Sequence, residues 1–140
     1  MAQDKLMSVE IVTPRKIVWS GKAVSVSVPG SESPFQALNN HAPIMSSLDL
    51  GIIKIADDSN KTILFATGTG FVEIRNNKVS LLVESATDAS SIDMTQAEAN
   101  YDEAYKSFKA ADKDHAAELG KLMAESNNIL KAAKKFQAIS

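Results

Sequence analysis

Pro29-Gly30-Ser31-Glu32-Ser33-Pro34-Phe35-Gln36-Ala37-Leu38-Asn39-Asn40-His41-Ala42-Pro43 opens on a Pro-Gly turn signal and closes on an Asn-Asn-His-Ala-Pro turn. Between the turns, Phe35, Ala37 and Leu38 are apolar enough to predict a short buried segment. A connection of this length is usually functional or tucked against something. Ser31, Glu32, Phe35, Leu38 and His41 are therefore candidates for contact with a partner. The competing account has Phe35 and Leu38 simply completing the core. His41 could serve as a base or a metal ligand, but no second histidine, cysteine or acidic cluster lies near it; the other histidine is His115. A catalytic histidine needs an orienting partner, so the favoured role for His41 is a hydrogen bond that fixes its turn.

Strand-like segments bracket this stretch. On one side, Ala23-Val24-Ser25-Val26-Ser27-Val28 puts valines on one face and serines on the other, the period of a half-buried strand. Further back, Lys5–Val12 reads as a strand broken by Pro14-Arg15, and Lys16–Ser20 as a short one ended by a turn at Gly21. On the other side come Ile44–Leu48, Gly51–Ala56, Lys61–Thr67, Phe71–Arg75 and Lys78–Glu84. Asp57–Asn60 and Asn76-Asn77 have hairpin-turn composition. Strands this short and this regularly spaced predict an antiparallel β-sandwich or flattened barrel.

Composition changes near Thr87: proline disappears, and Ala and Lys become frequent. The chain is read as a sandwich domain over 1–87 and a two-helix antiparallel hairpin over 88–140. Asp93, with Gln96 three residues on, signals a helix start, and Ile92 is in staple position to Ala97. Ala97, Tyr101, Ala104, Tyr105 and Phe108 share one helical face. After a turn at Ala110-Ala111-Asp112, a second stripe runs through Leu119, Leu122, Met123, Ile129, Leu130, Ala133 and Phe136. Gly120 interrupts that helix at a cost of about 1 kcal/mol relative to Ala. Charge divides the hairpin. Ser91–Gly120 holds three Lys against seven Asp or Glu, net −4, and Lys121–Ser140 holds four Lys against one Glu, net +3. Lys134 and Lys135 suit a helix C-terminus. Lys121 and Lys131 lie further in, which leaves room for a basic tip that meets an acidic partner.

The 140 residues carry a formal net charge of −2, which argues against a nucleic-acid binder. There is no cysteine, so disulfides, thiolate metal sites and cysteine nucleophiles are excluded. Met1-Ala2-Gln3-Asp4-Lys5 lacks the apolar core of a signal peptide, and no apolar run approaches the length of a membrane span. Any link to a membrane is expected to go through a partner. Gly68-Thr69-Gly70 lacks the third glycine and following helix of a phosphate loop and is expected to be a bulge or strand connection. Asp57 and Asp58 are expected to cap their own turn rather than hold a metal. No Ser/His/Asp set stands in recognisable context. The chain is therefore expected not to be an enzyme, with no catalytic or metal-binding residues and no cofactor.

Gly30-Ser31-Glu32 leading into Leu38-Asn39-Asn40-His41-Ala42-Pro43 resembles the epsilon subunit of rotary F-type ATP synthases, called delta in mitochondria. Val9–Pro14, Gly51–Ile55 and Gly68–Ile74 followed by Val79–Val83 match the same family, as does the order of sandwich and hairpin. The resemblance implies a non-catalytic rotor subunit whose sandwich grips the gamma stalk and rests on the polar loops of the membrane c-ring. It also implies a hairpin that can fold on the sandwich or extend into the catalytic hexamer and block ATP hydrolysis. Lys121, Lys131, Lys134 and Lys135 are then the candidates for an acidic partner segment. The implied location is peripheral, on the cytoplasmic face of a bacterial inner membrane or its organellar equivalent. Some members bind ATP through Ile/Leu-Asp-x-x-Arg-Ala. Here the matching Ile92–Ala97 has Gln96 for the arginine, which removes the charge that would hold phosphate. The alternative reading is a stand-alone β-sandwich binding module with a helical dimerisation hairpin. Of eight aromatics, four fall in the helices and Trp19, Phe35, Phe65 and Phe71 in the sandwich, which leaves little for a sugar platform.

Overall fold

The computed structural model describes residues 5–140. Residues 1–4, part of the segment without a signal-peptide core, lie outside it. The chain divides into two compact units, Met1–Asp88 and Ala89–Ser140.

Among the described residues the first unit holds nine strands: β1 (Met7–Val12), β2 (Ile17–Val28), β3 (Phe35–Leu38), β4 (Ile44–Leu48), β5 (Gly51–Asp57), β6 (Thr62–Thr67), β7 (Gly70–Arg75), β8 (Lys78–Val83) and β9 (Ala86–Asp88). Hydrogen bonding orders them β4-β7-β8-β1-β2-β5-β6-β9, with β3 also on β2. The long β2 joins the two layers of the sandwich. Its first half pairs with β1, and its second half lies between β3 and β5. The register slips between Ala23 and Ser25, where the strand passes from one layer to the other; bulges of this kind let a strand turn a sandwich corner.

Three features of this arrangement differ from the expected pattern. Gly21 is not a turn, because β2 runs straight through it opposite Val9. The Trp19 ring covers the glycine so closely that a Cβ there would stand 2.9 Å from it. The aromatic thus restores the contact that a side-chain-free strand position lacks. The second difference is direction. β1 pairs with β8 in parallel, Ser8 to Val12 against Lys78 to Leu82, while the other strand pairs are antiparallel. No turn joins these two strands, so turn chemistry carries no information about their relative direction. The short β9, beyond the expected end of the series at Glu84, pairs with β6 through Phe65↔Asp88 and its neighbours.

Alternation explains the core. Met7, Val9 and Ile11 of β1, Val72 and Ile74 of β7, and Val79, Leu81 and Val83 of β8 point inward. They meet Val26, Val28, Ala37, Ile53, Ile55 and Phe65 from the other layer. Both turns expected from composition are present. Asn76 and Asn77 have φ of 51° and 59°, the paired left-handed conformation of a tight hairpin. Asp57 accepts the backbone N–H groups of Ser59 and Lys61 at 2.9 and 2.8 Å, as a turn-capping aspartate does.

The second unit holds a short 3-10 turn, Ala89–Ser91, followed by α1 (Met94–Lys109) and α2 (Ala116–Ile139), which pack on each other. Asp93 caps α1 by accepting the Gln96 N–H at 3.1 Å. Asp93→Ala is expected to lower stability by about 1 kcal/mol, read as a fall in the urea midpoint with unchanged slope. An unchanged midpoint would mean that the cap contributes nothing. Gly120 does not interrupt α2, which is continuous across it. A Cβ there would lie 3.1 Å from the Phe108 ring, so the glycine lets α1 approach. Three residues of the expected stripes are exposed: Leu122 at 50%, Tyr105 at 42% and Phe108 at 37%. Ala97, Leu130, Ala132 and Ala133 are the buried apolar positions of the two helices.

Candidate partner-binding surfaces

The stretch after β2 is shaped by backbone hydrogen bonds. Gly30 bridges to Leu48, the Ser31 N–H donates to the Ser47 carbonyl, and the Asp49 N–H donates to that of Pro29. The Ser31 hydroxyl donates to Asp49 Oδ1 at 2.9 Å. Ser31 and Glu32 are both exposed, but the Ser31 hydroxyl is committed to the fold. The expected buried segment is only partly so: Ala37 is buried, Phe35 packs on the core rim, and Leu38 is 51% exposed. Strand alternation is the cause. β3 pairs with β2 in a register that sends Ala37 inward opposite Val26 and its neighbour Leu38 outward.

His41 does what a turn histidine does. Its Nδ1 donates to the Ala42 carbonyl at 2.7 Å, and its ring sits 6.1 Å from that of Phe35. Its backbone N–H closes the turn onto the Leu38 carbonyl at 3.0 Å. Asn39 Oδ1 is buried with no hydrogen-bond partner among the described residues. No group of three or more metal-ligating side chains occurs among them either.

The outer face of β4, β7, β8 and β1 carries a surface that sequence reasoning missed. Cross-strand register aligns Ser47, Phe71, Leu82 and Val12 in one row. Phe71 is 55% and Leu82 52% exposed. They line an open cavity of about 730 Å³ together with Leu48, Val83, Ser31 and Thr69. The next row outward holds Met45 opposite Glu73, and the one beyond it Arg75 opposite Lys78. The signal was present: in Phe71-Val72-Glu73-Ile74-Arg75, Phe71 shares its face with Glu73 and Arg75, the solvent face.

The four candidate lysines are all exposed but do not form a tip. Lys121 lies near the start of α2, and Lys131, Lys134 and Lys135 lie in its second half. At ~1.5 Å per residue, about 21 Å of helix separates Lys121 from Lys135. The charges form a stripe along α2 because a continuous helix cannot fold its two ends together. At the head of α1, Gln96 Nε2 donates to Asn100 Oδ1 at 2.8 Å, one turn on. The position that the resemblance assigns to an arginine is thus neutral and engaged along its own helix.

The family model for the ATP synthase delta/epsilon chain β-sandwich domain matches residues 6–89. The chain belongs to the ATP synthase delta/epsilon family. Among its relatives, the ATP synthase epsilon chain of Pelotomaculum thermopropionicum is 41% identical over 96 residues, 69% of this chain and 71% of that one. The chloroplast epsilon chain of Porphyra purpurea is 33% identical over 132 residues, 94% of each chain. In fold, the chain is similar to one in the mitochondrial ATP synthase of Euglena gracilis, with a TM-score of 0.77 and 13% identity over 89% of this chain and 79% of that one. Membership makes the chain an accessory epsilon-type subunit of ATP synthase and not one of its catalytic-core subunits. No helix among the described residues is long and apolar enough to cross a membrane.

Proposed function

We propose that this subunit is part of the rotor and couples rotation of the membrane c-ring to the gamma stalk. The observation that carries this reading is the exposed apolar row of Phe71 and Leu82 over its open cavity. Large apolar side chains gathered on one sheet face are what a docking surface needs. The Glu32–Pro43 segment, with exposed Glu32 and Leu38 and the half-buried His41, is the second surface. It is assigned to the polar loops of the ring. Both surfaces lie on the sandwich, so one rigid body serves both partners. The subunit is then peripheral, held to the membrane through the ring, on the cytoplasmic face in a bacterium or the equivalent face in an organelle. The test is co-purification of the tagged chain with gamma and with the ring from reconstituted components. Recovery of the chain without either partner would overturn the rotor reading.

The sandwich is also proposed to fold alone. Its unit includes β9, whose pairing with β6 ends at Asp88. A fragment ending at Asp88 is expected to be soluble with a dispersed amide spectrum. Collapse of that dispersion would show that the sandwich needs the helices.

The hairpin is proposed to act on the catalytic hexamer through the lysine stripe of α2. Exposed ion pairs are worth ~0.2–1 kcal/mol each and are screened by salt. Changing Lys121, Lys131, Lys134 and Lys135 together to Ala is therefore expected to speed ATP hydrolysis by the assembled complex roughly three- to tenfold at low ionic strength. High salt should shrink the difference. Equal rates at low salt would make the hairpin a structural element only.

A further inference from the structure

One pair of asparagines fastens the turn after β3 to the turn between β7 and β8. The Asn40 backbone N–H donates to Asn77 Oδ1 at 2.6 Å, and Asn77 Nδ2 donates back to Asn40 Oδ1 at 3.2 Å. Asn40 and Asn77 have φ of 66° and 59°, the left-handed region that asparagine tolerates better than other side chains. Asn77 is itself held in place, because its carbonyl accepts the Ser8 N–H at 2.9 Å from β1. The remaining bonds of the loop are internal: His41 N–H to Leu38, and His41 Nδ1 to Ala42. Internal bonds fix the loop's shape, and the pairings of β3 with β2 and of β4 with β7 hold its two ends, so what the clasp adds is a hold on its middle. The unpartnered Asn39 Oδ1 adds nothing to its anchorage.

We infer that Asn77 is a positioning residue for partner binding. It holds the middle of the Asn39–Pro43 loop against the sandwich and joins it to the hairpin whose outer face carries Phe71 and Leu82. Load received at the middle of the loop then passes through the Asn40–Asn77 clasp into the β7–β8 turn, beside the path through β4 into β7. Without the clasp, the loop would yield first. This inference rests on the proposal that the loop meets the ring and the β7–β8 face meets the stalk.

Asn77→Gly is the test variant. Glycine adopts the left-handed conformation freely, so the hairpin keeps its backbone while both clasp bonds are lost. Hydrogen exchange of the Asn40 amide is expected to accelerate about tenfold, as loss of one or two local hydrogen bonds implies. Affinity for the purified c-ring should fall by a similar factor while affinity for gamma stays at the wild-type level. Asn77→Asp keeps the acceptor for the Asn40 N–H and should recover part of both losses. Combining Asn40→Gly with Asn77→Gly should add little to the single change. Wild-type exchange and wild-type ring affinity in Asn77→Gly would overturn the inference, and so would an equal loss of gamma binding, which marks general unfolding. Failure of the wild-type chain to bind the ring would instead remove the rotor reading; the exchange rate at Asn40 would still decide whether Asn77 holds the loop.

Discussion

Gly70→Ala is expected to destabilise the sandwich by about 3–5 kcal/mol, enough to leave much of the protein unfolded at physiological temperature. Gly70 starts β7 directly opposite Val83 of β8. A Cβ added there would stand 2.8 Å from Val83 Cα and closer still to the Leu82 carbonyl oxygen. Both are backbone atoms of a paired strand, and neither can swing aside as a side chain end does. Gly70 does not have a positive φ, so the penalty is steric and not conformational. Gly68→Ala is the control. Its nearest neighbours would be Ser85 Oγ at 3.1 Å and Glu84 Cβ at 3.2 Å, both side-chain atoms. Its cost is expected to stay below about 1 kcal/mol. Urea unfolding of the two variants measures the contrast. A Gly70→Ala midpoint equal to that of the wild type would show that β7 and β8 can separate without loss, and the close approach would have no energetic meaning.

The joint change of Phe71 and Leu82 to Ser is expected to weaken binding to gamma about 100-fold. Each side chain is roughly half exposed in the isolated subunit, so each has as much apolar surface left to bury on docking as it has buried already. At ~25 cal/mol per Å², and with the extra weight that central aromatic anchors carry in interfaces, the pair is worth about 3 kcal/mol to association. Folding should suffer far less, because neither side chain belongs to the inner-face core. Titration calorimetry against gamma, with a thermal melt of each variant, separates the two effects. If affinity holds while the melt is unchanged, the β4-β7-β8-β1 face is not the stalk contact. The rotor proposal would then need another surface.

Much of this was legible in the sequence because it depends on neighbours along the chain. The valine–serine alternation of Ala23–Val28 gave the inward Val26 and Val28. Asn76-Asn77 marked a tight hairpin because few residues other than glycine and asparagine accept two positive φ angles in succession. Asp93 and Gln96 marked the start of α1, yet the sequence could not tell that Gln96 would turn to Asn100 instead of closing a reciprocal cap. Leu38 looks buried by its hydrophobicity, and Phe71 does too until its alternation with Glu73 and Arg75 is read. Each proves exposed because the strand's phase, not the residue's hydrophobicity, chooses its face.

Although the sequence put a turn at Gly21 and missed β9, it was enough for the kind of most other elements, for the Asp57–Asn60 and Asn76-Asn77 turns, for a sandwich followed by helices, and for the family. All of these are set by residue chemistry within a few positions. Tertiary structure alone decided the parallel pairing of β1 with β8 and the row that sets Ser47 and Val12 on either side of the Phe71–Leu82 hairpin pair. It also decided the meeting of Asn40 with Asn77, 37 residues apart. Each of these joins residues distant in the chain. Their contact is fixed by how two layers must stack to bury one core, and no local pattern encodes that.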